Sequence, residues 1–124
     1  MALPEDALIQ GKRPGSLGEW YVANGLWRLK HEFIYQFQVF NLTGVKGSFI
    51  LDFLVTTTVP FSTPLEFFGE RFHSAELTRD DQLRLERIEF ELGPNINETV
   101  IVWGSEAQTQ EDTDEVLRRK IGRS

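Results

Sequence analysis

Apolar positions recur along the chain in three rhythms, and each predicts a different kind of element. Behind Ser16-Leu17-Gly18-Glu19, a tetrad with the form of a capping box, Val22, Leu26 and Leu29 keep helical spacing and define a buried stripe. Glu19 lies three residues before Val22 and falls near the same stripe. From Phe33 to Phe40 the rhythm becomes an alternation, with Tyr35, Phe37 and Val39 set against Gln36 and Gln38, as in a half-buried strand. Residues 41–47 carry two glycines and read as a hairpin connection. Ser48 to Val55 is a nearly continuous apolar run, which suits a central strand covered on both faces.

After a Thr- and Pro-rich loop from Thr56 to Thr63, Pro64 to Phe68 makes a short third strand, with proline tolerable at its first position. Thr78-Arg79-Asp80-Asp81 caps a second helix whose stripe is Leu85, Ile88 and Leu92, and Gly93-Pro94 ends it. Thr99 to Trp103 is a fourth strand. Thr109 to Ile121 is a last helix, acidic at its start and basic at its end, as the helix dipole favours. Residues 1–15, with Pro4, Gly11, Pro14 and Gly15, read as an irregular lead-in to one domain over residues 16–122. The order α-β-β-β-α-β-α, a meander followed by a β-α-β crossover, predicts a three-layer α/β fold. Its mixed four-stranded sheet is flanked by helices on both faces.

Two carboxylates interrupt the apolar strands: Asp52 in Ile50-Leu51-Asp52-Phe53-Leu54, and Glu66 in Pro64-Leu65-Glu66-Phe67-Phe68. A lone carboxylate in a central strand costs several kcal/mol unless it is paired, protonated or bound to a cation. Alternation puts Asp52 on the face of Ile50 and Leu54, and Glu66 on the face of Phe68. Neighbouring strands can bring the two close together, where a divalent cation would relieve their repulsion. The chain has no cysteine, and oxygen-only ligands suit Mg²⁺ or Mn²⁺. Such an ion can polarise a phosphodiester and activate water. The alternatives are a strand-end aspartate in a turn for Asp52 and a solvent-facing edge carboxylate for Glu66.

Composition narrows this picture. The chain has 124 residues, is 40% hydrophobic and holds ten Phe and three Trp, enough for one real core. No apolar run approaches the roughly 20 residues that span a bilayer. Met1 to Gln10, with Glu5 and Asp6, lacks the form of a signal peptide. A cytoplasmic protein with no membrane association is expected. The net charge of −6 argues against non-specific coating of nucleic acid, but not against a nuclease with an acidic, metal-balanced site. No Walker loop, dinucleotide fingerprint, nucleophile elbow or zinc motif is present.

The remaining candidates have double readings. Glu19 either closes the capping box or joins the carboxylates. His73 can orient water or act as general base, or is structural. His31 reads as structural. Arg71, Arg79, Arg84 and Arg87 cluster around the second helix as phosphate contacts. For Arg84 and Arg87 the preferred reading is pairing along the helix surface, Asp80 with Arg84 at i,i+4 among them. Lys12 and Arg13 form a small basic pair on the lead-in. Arg118, Arg119, Lys120 and Arg123 make a solvated basic end.

With these residues in order, the chain resembles the PD-(D/E)XK nuclease superfamily, in the branch of the very-short-patch mismatch repair endonucleases. The segments are Gly18-Glu19, then Leu51-Asp52-Phe53, then Pro64-Leu65-Glu66-Phe67-Phe68-Gly69-Glu70-Arg71-Phe72-His73. Asp81, Arg84 and Leu85 follow, running into Leu92-Gly93, and Val100-Ile101-Val102-Trp103-Gly104 completes the set. The resemblance implies a restriction-endonuclease-like core and a metal-dependent DNA endonuclease. Asp52 and Glu66 would hold Mg²⁺ or Mn²⁺, Glu19 would support the metal, and His73 would assist water or the leaving group. Asp81 would lie nearby, and Arg71, Arg79, Lys12 and Arg13 would contact DNA. The family signature carries a Lys or a polar substitute two residues after the acidic one, where this chain has Phe68. The competing expectation is therefore a catalytically degenerate nuclease fold that serves as a DNA-binding or assembly module, for instance of a phage or mobile element. A third is a small αβ protein whose carboxylates are satisfied by Arg pairs. A chain this short offers little surface for long-site recognition, so a homodimer or a partner protein is expected.

Overall fold

A computed structural model describes residues 2–39, 49–69 and 77–123. Helix α1 (Leu17–Arg28) begins at Ser16, whose hydroxyl accepts the Glu19 amide. It ends as Lys30 turns to φ 67° and the His31 amide closes back on the Leu26 carbonyl at 2.9 Å. Strands β1 (Phe33–Val39), β2 (Phe49–Val55) and β3 (Thr63–Phe68) follow. Helix α2 (Arg79–Leu92) carries a full capping box between Thr78 and Asp81 and stops at Gly93, φ 87°. Strand β4 (Val100–Trp103) leads through one 3₁₀ turn into α3 (Gln110–Lys120), capped by Thr109. The sheet order is β1-β2-β3-β4, antiparallel except for the parallel β3/β4 pair made by the α2 crossover.

Both sheet faces are covered, so the expected three-layer architecture is the observed one. On one face Val22, Leu26, Val116 and Leu117 of α1 and α3 pack on Phe33, Tyr35, Phe53, Val55, Leu65 and Val102. On the other, Ile88 and Leu92 of α2 pack on Phe37, Val39, Leu51 and Leu54. Helices α1 and α3 approach closely because Gly25 has no side chain. A Cβ there would stand 2.6 Å from Leu117 Cδ1. No described helix is long and apolar enough to cross a membrane.

The lead-in belongs to this fold rather than preceding it. Ile9 is fully buried in the main core. The Gln10 side chain accepts the Tyr35 amide at 2.8 Å and donates to the Phe33 carbonyl at 2.5 Å, standing in for a strand at the β1 edge. A second difference concerns the alternation along β2, around Asp52. Strict alternation would seat it beside Leu54, but Leu51 and Leu54, three residues apart, share the smaller cluster, so the alternation slips between them. Across the ladder, Gln36 has φ 53° between the Tyr35/Phe53 and Phe37/Leu51 pairs, and the two strands change phase together. The hairpin expected at residues 41–47 lies outside the described residues.

Candidate functional site

The site forms where β2 and β3 stop pairing. Their ladder runs Val55/Thr63, Leu54/Pro64 and Phe53/Leu65. The next cross-strand position holds Asp52 opposite Glu66. There a side chain replaces the backbone ladder: Asp52 Oδ2 accepts the Phe67 amide at 2.8 Å. The parted strands also leave the Ile50 carbonyl free for Arg84 of α2, which donates to it at 2.6 Å. The same guanidinium donates to Glu66 Oε1 at 2.8 Å. Arg84 therefore does not take the expected i,i+4 partner Asp80 and turns inward to the sheet. Arg87 does pair along the helix, with Glu91 at 3.1 Å.

Glu66 is 2% exposed. Burial, and then the charge and hydrogen bond of Asp52, push its carboxyl up to about 8 against the opposing pull of Arg84. Near neutral pH Glu66 thus keeps its proton, buried beside Asp52. Glu19 of α1 feels the same aspartate. Burial raises its carboxyl, the Tyr35 hydroxyl draws it back, and the Asp52 charge raises it again. Its position is tightly held: Tyr35 donates to Oε1 at 2.7 Å and Ser16 to Oε2 at 3.2 Å. The Tyr35 hydroxyl accepts the Gly15 amide at 3.1 Å, and burial together with the bond to Glu19 raises the Tyr35 hydroxyl well above its usual range. A Cβ on Gly15 would fall 2.7 Å from Glu19 Oε2, so a side chain there would push the carboxylate from its place.

A cleft of about 310 Å³ opens between the N-termini of α1 and α2, lined by Gly15, Ser16, Glu19, Phe67, Phe68, Gly69 and Asp81. The Phe67 ring is wedged between Gly18 and Gly69, where added Cβ atoms would stand 2.0 and 2.6 Å from it. Phe68 packs edge-on against Trp103 at 5.5 Å.

The structure thus sets Asp52 against Glu66 and puts Glu19 within range of the Asp52 charge, while Glu19 and Asp81, but not Asp52 or Glu66, line the cleft. Arg79 is exposed on the first turn of α2. Lys12 is exposed. The Arg13 side chain clasps the lead-in, donating to the carbonyls of Pro4, of Glu5 at 2.8 Å and of Ala7 at 3.4 Å. His73 and Arg71 lie outside the described residues. His31 is buried, with its ring nitrogens on Thr57 Oγ1 and the Gly122 carbonyl. The Thr56–Thr63 loop, a candidate for substrate contact by position, lies at the other end of β2 and β3. It is tied down by Asn97, which donates to the Phe61 carbonyl at 2.6 Å and to Thr63 Oγ1 at 3.0 Å. Tyr35 had no site role in the sequence, and Arg84, grouped with the phosphate contacts but preferred as a helix-surface pair, finds its partners on the sheet. Tyr35 pointed inward by alternation, and a buried tyrosine hydroxyl needs a partner. Arg84 stands four residues before Ile88, at the border of the buried stripe of α2.

Among the described residues no group of three or more His, Cys, Asp or Glu side chains stands ready to hold a metal ion. The Asp52–Glu66 pair fits a narrower demand. Mg²⁺ commonly takes one or two protein carboxylates and keeps waters for the rest of its shell, and two acid side chains set against each other, one of them raised by burial and by the other's charge, are such a donor set. A comparison with known proteins finds no matching family model, no matching curated protein and no matching solved structure.

Proposed function

We propose that the protein is a metal-dependent DNA endonuclease that hydrolyses a phosphodiester. The observation that carries this reading is the buried pairing of Glu66 with Asp52 at the point where β2 and β3 separate, with Glu19 near enough to feel the Asp52 charge. A buried acid pair opposes folding unless something relieves it, and a divalent cation held by Asp52 and Glu66 does so. When bound, Mg²⁺ or Mn²⁺ supplies Lewis acidity toward a phosphoryl oxygen and a more acidic water. Glu19 accepts a proton from the attacking water. The water oxygen then bonds to phosphorus, and the bond from phosphorus to the leaving oxygen breaks as that oxygen takes a proton from a solvent water. His73 is assigned to help at water or leaving group. DNA is the substrate, and Arg79, Arg71, Lys12 and Arg13 are its proposed backbone contacts. The protein acts in the cytoplasm, as a homodimer or with a partner protein.

One observation favours a second reading, a nuclease fold without catalysis. Arg84 is already bonded to Glu66, and Phe68 stands where the signature has a Lys or a polar substitute. The test is incubation of supercoiled plasmid and of branched and mismatched oligonucleotides with Mg²⁺ or Mn²⁺, wild type beside Asp52→Asn. Metal-dependent cutting lost in the variant is the expected result. No cutting by a folded wild-type protein selects the second reading.

A further inference from the structure

The fixed positive charge at this acid pair comes from a helix, not from the strand that carries Glu66. Phe68, two residues after Glu66, is apolar and turned onto Trp103. Arg84 reaches the pair from α2, one turn beyond Asp81 of the cleft, and it is held at two points. One terminal nitrogen lies 2.8 Å from Glu66 Oε1, and the other lies 2.6 Å from the Ile50 carbonyl. These two bonds fix the plane of the guanidinium and leave further N–H donors of its fork. Its side chain is 34% exposed while that of Glu66 is 3% exposed, so the cation spans the boundary between the buried acids and solvent.

Charge gives the arrangement a purpose beyond a structural ion pair. Glu19, Asp52 and Glu66 carry three negative charges when ionised, and Arg84 offsets one. The remainder equals the charge of one divalent cation. Arg84 therefore complements such an ion instead of replacing it. A buried ion pair kept only for stability is commonly replaceable by apolar side chains at no loss. Here a second carboxylate stands against the first, and beyond accepting the Phe67 amide it adds a negative charge that the bond from Arg84 to Glu66 does not meet.

From this geometry we infer that Arg84 is a substrate-binding residue: its outward N–H donors hold a non-bridging oxygen of a backbone phosphate beside the Asp52–Glu66 pair, the role an apolar side chain at position 68 cannot fill. The inference rests on the phosphodiester reading above, and it concerns binding, which is measurable apart from cleavage.

The experiment uses the full chain and a fluorescein-labelled DNA duplex, with binding read by anisotropy in Ca²⁺, Mn²⁺ binding by calorimetry and cutting in Mg²⁺. Arg84→Gln is expected to bind Mn²⁺ as the wild type does, to bind the duplex about tenfold more weakly and with a shallower salt dependence, and to cut about a hundredfold more slowly. Adding Phe68→Lys to Arg84→Gln should restore cutting about tenfold or more, by returning a cation to the acids from β3. Should Arg84→Gln fail to fold, Glu66→Gln and the double variant Glu66→Gln/Arg84→Gln leave no lone buried charge. The double variant should then bind the duplex about tenfold more weakly than Glu66→Gln alone. Equal duplex affinity with and without Arg84, loss of Mn²⁺ binding in Arg84→Gln, or a wild type that binds no duplex each overturns the assignment. Duplex binding that depends on Arg84, without cutting by any variant, keeps Arg84 as a phosphate contact and removes the hydrolytic reading.

Discussion

The carboxylate of Asp52 accepts the backbone amide of Phe67 at 2.8 Å, so a side chain closes the ladder at the position where β2 and β3 cease to pair. Asp52 thus has two tasks, as an acceptor for the fold and as a charge for the site, and they can be separated. Asn keeps an oxygen for the amide and loses the charge, whereas Ala loses both. Asp52→Asn should unfold in urea near the wild-type midpoint while its Mn²⁺ binding, read by calorimetry, disappears. Asp52→Ala leaves the Phe67 amide without this partner and should cost about 1–3 kcal/mol in the same urea experiment. Equal stability of the two variants would mean that the bond contributes nothing to the fold.

Glu66 gives the fold a pH dependence of definite sign. Its carboxyl is raised to about 8 by burial and by Asp52. A group whose pKa is raised on folding contributes stability that is fully present below its unfolded value and is lost as pH rises through the folded value. In a chelated, metal-free buffer the protein should therefore lose stability between about pH 4.5 and 8, and Glu66→Gln should flatten that slope. Saturating Mn²⁺ should also flatten it, because the ion takes the place of the proton on Glu66, and proton release on binding should be visible as a buffer-dependent enthalpy. Urea midpoints at pH 5 and pH 8.5 decide the matter. A wild type and a Glu66→Gln protein with parallel pH profiles would refute it.

Tyr35 sets the acidity of Glu19 from the opposite direction. Its hydroxyl bond at 2.7 Å favours the ionised carboxylate against burial and the Asp52 charge. Tyr35→Phe removes that bond, so the Glu19 pKa should rise further, and the acid limb of cleavage should move to higher pH. Loss of the hydroxyl should also cost about 1 kcal/mol, as it leaves the Gly15 amide without this acceptor. Carboxyl-resolved NMR titration of the two proteins reads the shift directly. An unchanged Glu19 titration would show that Tyr35 serves packing alone.

These effects mark how far the sequence could be read. Periodicity and caps locate the helices and strands to within a residue or two, because Val22, Leu26 and Leu85, Ile88 keep their stripes, and Ser16, Thr78 and Thr109 cap as their positions require. The nearness of Asp52 to Glu66 was legible from two apolar strands in succession. The partner of Arg84 was not. Local spacing offered Asp80, and a parted ladder with a free Ile50 carbonyl is a tertiary fact that no i,i+4 rule encodes. Nor does a Gly- and Pro-rich lead-in announce that Gln10 will satisfy the edge of β1. Strict alternation likewise does not announce that Leu51 and Leu54 share one cluster, a phase change that goes with the positive φ of Gln36 on the neighbouring strand.

Gly18 tests the wall of the cleft. In an ordinary helix interior Gly→Ala is stabilising by about 1 kcal/mol, because alanine restricts the unfolded chain and favours the helix. At Gly18 the added Cβ would stand 2.0 Å from Phe67 Cζ, inside any van der Waals contact. Overpacking costs about 1–3 kcal/mol, so the clash should outweigh the propensity gain and Gly18→Ala should be destabilising. The sign should reverse once the ring is shortened. In a Phe67→Leu background, where no ring meets the Cβ, Gly18→Ala should stabilise by some tenths of a kcal/mol to about 1 kcal/mol. A double-mutant cycle in urea gives the coupling directly. A coupling near zero would mean that the Phe67 ring can leave Gly18 freely, and that the cleft between the two helix N-termini is not walled by the ring.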